Sequence, residues 1–121
     1  MEPDFPRIDP DRVNGSTIAV VDVRRHRHGE QIRGSVHYDA RKLENTAKLL
    51  LPLSHEAPIA VYGDDDEQAA TVVAALRAAG YAQAAVLNGG FEYWRELGYP
   101  VENATQEQPI PGDESAGAEL L

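Results

Sequence analysis

Three short, nearly unbroken runs of β-branched and apolar residues, Thr17–Val23, Pro58–Tyr62 and Ala84–Leu87, constrain this chain more than any other feature. A strand with one face in water alternates polar and apolar residues. A strand covered on both faces does not, and the continuous pattern belongs to parallel sheets held between helices. The intervening segments supply those helices. Asp39 is placed to cap a helix from Ala40 to about Leu51, with Leu43, Ala47 and Leu50 at helical spacing and Pro52 as its stop. Ala69, Val72, Val73, Leu76 and Ala79 mark one face of a second helix, closed by a left-handed cap at Gly80. Asn88-Gly89-Gly90 turns into a third, which carries Phe91, Trp94 and Leu97 and ends at Gly98. The alternation predicts a three-layer α/β domain, with a central parallel sheet flanked by helices and joined by right-handed crossovers.

Smaller signals complete the plan. Ile8 begins a short edge strand, Asp9 is positioned to cap a single helical turn with Pro10 first in it, and that turn ends near Asn14-Gly15. Gly34 marks a turn before a brief strand at Val36–Tyr38, and Pro100-Val101 is expected to pack back on the body. Residues 1–7 read as an extended lead-in, 8–102 as the domain, and 103–121 as an acidic tail expected to be mobile.

A chain of 121 residues suits one such domain. It contains no cysteine, so it has no disulfide, no thiolate metal ligand and no thiol nucleophile of its own. Lys and Arg number 11 against 20 Asp and Glu, and the net charge of −9 disfavours binding to nucleic acid or anionic membrane surfaces. No apolar run approaches the roughly 20 residues of a membrane span, and the N-terminus lacks the features of a signal peptide, so the expected location is cytoplasmic.

The chemically informative stretch is the junction from Pro58 to Gln68, where a buried strand runs into the acidic turn Asp64-Asp65-Asp66-Glu67 and then a helix. Open α/β sheets place ligand sites at such strand ends, because the N–H groups of the first helical turn point outward unpaired. The carboxylates have three readings. They cap those N–H groups and complement the helix dipole, they supply hard oxygen ligands for Mg²⁺ or Ca²⁺, or they form a protein-docking surface. Asp22 and Arg24 end the Thr17–Val23 strand and lead into a basic loop, Arg24-Arg25-His26-Arg27-His28. In a parallel sheet this loop and the acidic turn share one edge. Arg24, Arg25 or Arg27 is therefore expected to pair with Asp64–Glu67 and fill the space between. His26 and His28 read as an exposed loop, as a His-x-His metal pair or as a pH-sensitive rim. Tyr62, Phe91, Tyr93 and Trp94 read as packing aromatics, and Arg41, Lys42 and Lys48 as a solvated helix face.

Five pieces in order, Asp22-Val-Arg24, Ile32-Arg-Gly34-Ser-Val36, Pro58–Tyr62, Leu76-Arg-Ala-Ala-Gly80-Tyr81 and Leu87-Asn-Gly-Gly-Phe-Glu-Tyr-Trp94 with Gly98-Tyr-Pro-Val101, strongly resemble the rhodanese-like domain over about residues 8–102. The Gly-Gly-aromatic-x-x-Trp segment is the best single marker. The resemblance implies a domain whose active members carry persulfide sulfur on a cysteine immediately after the central strand, in a loop whose backbone N–H groups surround the sulfur. Here that position is Gly63, and the acidic Asp64–Glu67 replaces the small and basic residues that usually follow. Glu30-Gln31 replaces the usual Gly-His, Arg33 the usual proline, and the segment after Arg24 is about two residues short.

The resulting expectation is a catalytically inactive rhodanese-like domain that acts as a binding or regulatory module for a protein partner. Its degenerate active-site loop is Gly63, Asp64, Asp65, Asp66, Glu67 and Gln68, and its pocket rim is Asp22, Arg24, Arg25, His26, Arg27 and His28. No catalytic residue, metal or cofactor is expected, and a small-molecule substrate is disfavoured. Two alternatives stand beside it: sulfur transfer or relay with a thiol supplied by a partner, and a Mg²⁺-dependent hydrolase using the acidic loop. Asp64-x-Asp66 also formally mimics the nucleophile motif of haloacid-dehalogenase-like phosphatases. A receiver domain, similar in length and charge, has its paired acids near the first strand, where this chain has none.

Overall fold

The computed structural model describes residues 5–27, 29–45 and 51–108. In chain order the elements are β1 (Arg7–Ile8), α1 (Pro10–Val13), β2 (Ala19–Asp22), β3 (Glu30–Ile32), β4 (Val36–His37), α2 (Ala40–Asn45), β5 (Ile59–Tyr62), α3 (Asp66–Ala78), β6 (Ala84–Leu87), α4 (Gly90–Glu96) and β7 (Val101–Asn103). Five strands form a parallel sheet in the order β1-β6-β5-β2-β4, with β5 central and β2 and β6 beside it. The three strands read as continuous apolar runs are these inner ones. Successive side chains of a strand point to opposite faces, and the core divides accordingly. Val21, Ile59, Val61, Ala84 and Val86 pack with Leu43 of α2 and with Ala69, Val72, Val73 and Leu76 of α3. Val20, Ala60, Tyr62 and Leu87 pack with Val13 of α1 and with Phe91 and Trp94 of α4 on the other face.

The helix ends follow their sequence signals. Gly80, at φ 107°, lets Tyr81 N–H reach the Leu76 carbonyl and its own N–H the Arg77 carbonyl, the paired closure that only a left-handed residue provides cheaply. Asp39 Oδ1 accepts from Arg41 N–H at the start of α2. Helix α2 is described from Ala40 to Asn45. Ala47, Lys48 and Leu50 lie outside the described residues, and Leu51 is non-helical, its N–H donating to the Tyr81 hydroxyl.

Two local expectations are corrected. Asp9 does not cap α1 with its side chain; Oδ1 accepts instead from Asn88 Nδ2, which ties the turn to the end of β6. The stretch around Gln31 is a strand as well as a turn, because β3 pairs antiparallel with β7 in a second, two-stranded sheet. Hydrogen bonding continues past that pair: Ala104 N–H donates to Gly29 O and Gln108 N–H to His37 O. Among the described residues no helix is long and apolar enough to cross a membrane.

Candidate functional site

The register of β2 against β5 sets Asp22 beside Tyr62 at the C-terminal ends of the two inner strands. Both are fully buried, and the Tyr62 hydroxyl donates to Asp22 Oδ2 at 3.1 Å. Asp22 also accepts from Arg24 N–H (2.9 Å) and Nε (3.1 Å) at Oδ1, and from Arg24 Nη2 (2.9 Å) and Arg27 Nε (3.2 Å) at Oδ2. Burial alone pushes the Asp22 carboxyl up, but the Arg24 hydrogen bonds and the charges of Arg24 and Arg27 outweigh it and hold the group below the usual carboxylate range. Burial and the Asp22 charge push the Tyr62 phenol well above its ordinary value. The Arg24 guanidinium continues outward over the rings of Phe91 (4.4 Å) and Tyr62 (5.0 Å), and donates to Glu30 O at 2.6 Å.

A second buried hub lies behind the first. Gln31 is fully enclosed; its Oε1 accepts from Arg27 Nη2 (2.6 Å), Thr105 N (3.0 Å) and Thr105 Oγ1 (3.1 Å). Its Nε2 donates to Ser35 O and Glu102 Oε2. Arg27 Nη1 donates to His37 Nδ1 and to Thr105 O. A guanidinium can only donate, so His37 carries its hydrogen on Nε2 and gives it to Arg24 O. No described buried side-chain nitrogen or oxygen lacks a partner.

The acidic loop is closed on itself and on its neighbours. Asp65, the N-cap of α3, accepts from Gln68 N–H at 2.8 Å, and Gln68 folds back so that its Oε1 accepts from Asp64 N–H at 2.7 Å. Asp64 reaches across to the basic loop and accepts from the backbone N–H groups of Arg25 (3.0 Å) and His26 (3.1 Å). Asp66 pairs with Arg7 at 3.0 Å, and Glu67 is exposed in the first turn. The self-capping account therefore rests on one carboxylate, Asp65, and on the Gln68 carboxamide. Among the described residues the expected guanidinium pairs with Asp64–Glu67 do not form. Arg24 and Arg27 turn inward to buried Asp22 instead, because a desolvated carboxylate two and five residues away offers better-aligned acceptors than an exposed loop.

The space between the loops remains open, a cavity of about 450 Å³. Arg24, His26, Arg27, Glu30, Tyr62, Gly63, Asp64, Asp65 and Asp66 border it, as do Gly89, Phe91, Glu92 and Arg95 from the turn into α4. Arg25 is exposed and lines a separate hollow, and His28 lies outside the described residues. Among the described residues no group of three or more His, Asp or Glu is placed to hold a metal ion; the three loop aspartates are drawn to three different partners. Sequence reasoning missed Gln31, Ser35, His37, Glu102 and Thr105, and took Tyr62 for packing alone. The signal for Gln31 was there: it is one of the two positions at which Glu30-Gln31 departs from the family pattern.

The model of the rhodanese-like domain family matches residues 10–97. Among solved structures, a rhodanese-like domain from Anabaena sp., determined by NMR in solution, is 27% identical, covers 90% of each chain and superposes with a TM-score of 0.69. A full-length protein from Lactobacillus plantarum is 25% identical with a TM-score of 0.69, covering 81% of this chain and 88% of its own. Thiosulfate sulfurtransferase from Pseudomonas aeruginosa shares the fold, with 22% identity and a TM-score of 0.68 over 80% of this chain and 20% of its own. No curated protein matches the chain. The chain belongs to the rhodanese-like domain family, and it does so without a cysteine anywhere in its 121 residues.

Proposed function

We propose that this rhodanese-like domain has no sulfurtransferase activity of its own and serves as a binding or regulatory module for a protein partner. The observation that carries the reading is at Gly63, where a Cβ would overlap Gln68 Oε1 and lie 3.3 Å from Ala69 N and Asp65 O. Gly63 is outside the left-handed region, so what a side chain there meets is steric, chiefly the movable end of Gln68. Group transfer needs a nucleophile at the reacting centre, and glycine offers none. The approach is unfavourable as well, since Asp64, Asp65 and Asp66 border the cavity. A like charge at about 4 Å costs about 1 kcal/mol in water-like surroundings and about 4 kcal/mol at intermediate dielectric. Every described buried side-chain nitrogen and oxygen nevertheless has a partner, which suits an ordered scaffold that presents a surface.

The test is thiocyanate formation from thiosulfate and cyanide by the pure protein. No turnover above the uncatalysed rate is expected, and measurable turnover overturns the reading. Recovery of a stoichiometric protein partner from the native host, by pull-down on the immobilised full chain, is the positive counterpart.

A further inference from the structure

A second hollow, of about 330 Å³, shares Arg24 with the cavity and is bordered by β4, the start of α2 and the Arg24-Arg25 turn. Its character runs against the rest of the chain. In a protein of net charge −9 it gathers Arg25 and Arg41, with Lys42 at its margin, against Asp39 and one further carboxylate, Glu107. Arg24 adds little net charge, because Asp22 neutralises it. Glu107 comes from the stretch after β7 and pairs with Lys42 Nζ at 3.0 Å, with both side chains about two-fifths exposed.

The strand beside the hollow is an edge. Strand β4 pairs with β2 on one side only, and an edge strand offers backbone groups to any extended chain laid against it. Here that chain is Ala104–Gln108: Gln108 N–H donates to His37 O at 2.7 Å, while Thr105 is fastened to Gln31 and Arg27. Main-chain hydrogen bonding to an edge together with a charged side chain over a complementary hollow is the pattern of strand addition by a peptide.

We propose that this edge and its basic hollow form a docking surface for an extended acidic segment of a partner protein, and that Ala104–Gln108 occupies it in cis as a competing ligand. The proposal rests on the reading of the domain as a binding module, but its test is separate: turnover in the thiosulfate assay would refute that reading and leave the peptide measurements standing. A partner must displace the strap, so its apparent affinity is reduced by the fraction of molecules in which the strap is seated.

The experiment uses the full chain and a fluorescein-labelled peptide copying Asn103–Gln108, followed by fluorescence anisotropy at low salt. The wild-type protein should bind the peptide weakly, and Glu107→Lys, which turns the strap's attraction into repulsion, should bind it more tightly, by up to about tenfold if the strap is seated nine-tenths of the time. Adding Arg25→Glu and Arg41→Glu to that variant should abolish binding, as should a peptide with lysine at the acidic position, and added salt should weaken it. Both arginines are exposed, and thermal melts of each variant check that folding is intact. Equal affinity in wild type and Glu107→Lys, binding indifferent to the arginine changes in a folded variant, or no binding to any variant at millimolar peptide would overturn the proposal.

Discussion

Replacing Asp22 by Asn tests the buried network most directly. The carboxylate accepts five hydrogen bonds, from Arg24 N, Nε and Nη2, Arg27 Nε and the Tyr62 hydroxyl, and is fully buried, while Arg24 is 6% exposed. Asn keeps the size but removes the charge, and its amide presents donors to groups that are themselves donors. Removing one partner of a buried ion pair costs about 3–5 kcal/mol, against a total stability of about 5–15 kcal/mol for a domain. At about 4–8 °C per kcal/mol for a domain of this size, the melting temperature should fall by at least about 12 °C. The pH dependence gives an independent signature. Because the folded-state pKa of Asp22 lies below its ordinary value, its contribution is fully present above the ordinary carboxylate range and is lost as pH falls through the depressed folded value. The gap between wild type and Asp22→Asn should therefore narrow as pH drops below about 4. Replacing Asp22 and Arg24 together by apolar residues should recover only part of the loss, since it removes the Arg24 charge but leaves Arg27 without its carboxylate. Thermal melts between pH 3 and 7 decide the matter; a single variant within about 1 kcal/mol of wild type at pH 7 would refute the reasoning.

Three further outcomes are expected. Gly63→Ala should push the Gln68 carboxamide off Asp64 N–H and cost about 0.5–1.5 kcal/mol; in a Gln68→Ala background the same change should cost measurably less, and strict additivity in a denaturant double-mutant cycle would show that the two positions do not interact. Gly63→Cys should leave thiosulfate sulfurtransfer absent, because Asp64–Asp66 oppose both thiolate formation and anion entry; iodoacetamide labelling against pH should report a thiol that ionises no more readily than a free cysteine. Gly80→Ala should cost about 1 kcal/mol through its positive φ alone, since the new methyl meets only the His55 ring at an ordinary 3.5 Å; a loss of several kcal/mol in a melt would mean that packing there is tighter than described.

The sheet was legible because its three inner strands, β2, β5 and β6, are covered on both faces, which leaves an unbroken apolar signature, and because the buried face of α3 repeats at helical spacing. Strands β3 and β7 were not legible as a pair. Each is only three residues long, β3 carries two polar residues, and their pairing joins positions about seventy apart, so nothing local announces it. The site divides in the same way. The absence of any cysteine and the convergence of the basic and acidic loops at one edge follow from the residues and their order along the chain. The partners of the arginines do not, because net charge pointed to the exposed aspartates while desolvation made buried Asp22 the stronger acceptor. Tyr62 looked like core because its ring is core; only the strand register reveals that its hydroxyl lands on Asp22.

The three donors that converge on Gln31 Oε1 also bear on how the protein is made. One of the three is Arg27, four residues away, but the other two belong to Thr105, more than seventy residues downstream. Strand β1 likewise has no neighbour until β6, about eighty residues later, exists. Synthesis runs from the N-terminus, so the first strand and the Gln31 hub lack these partners until nearly all the described chain has been made. Such long-range closure slows folding, and the Gln31 hub behind the cavity is among the last parts to take shape.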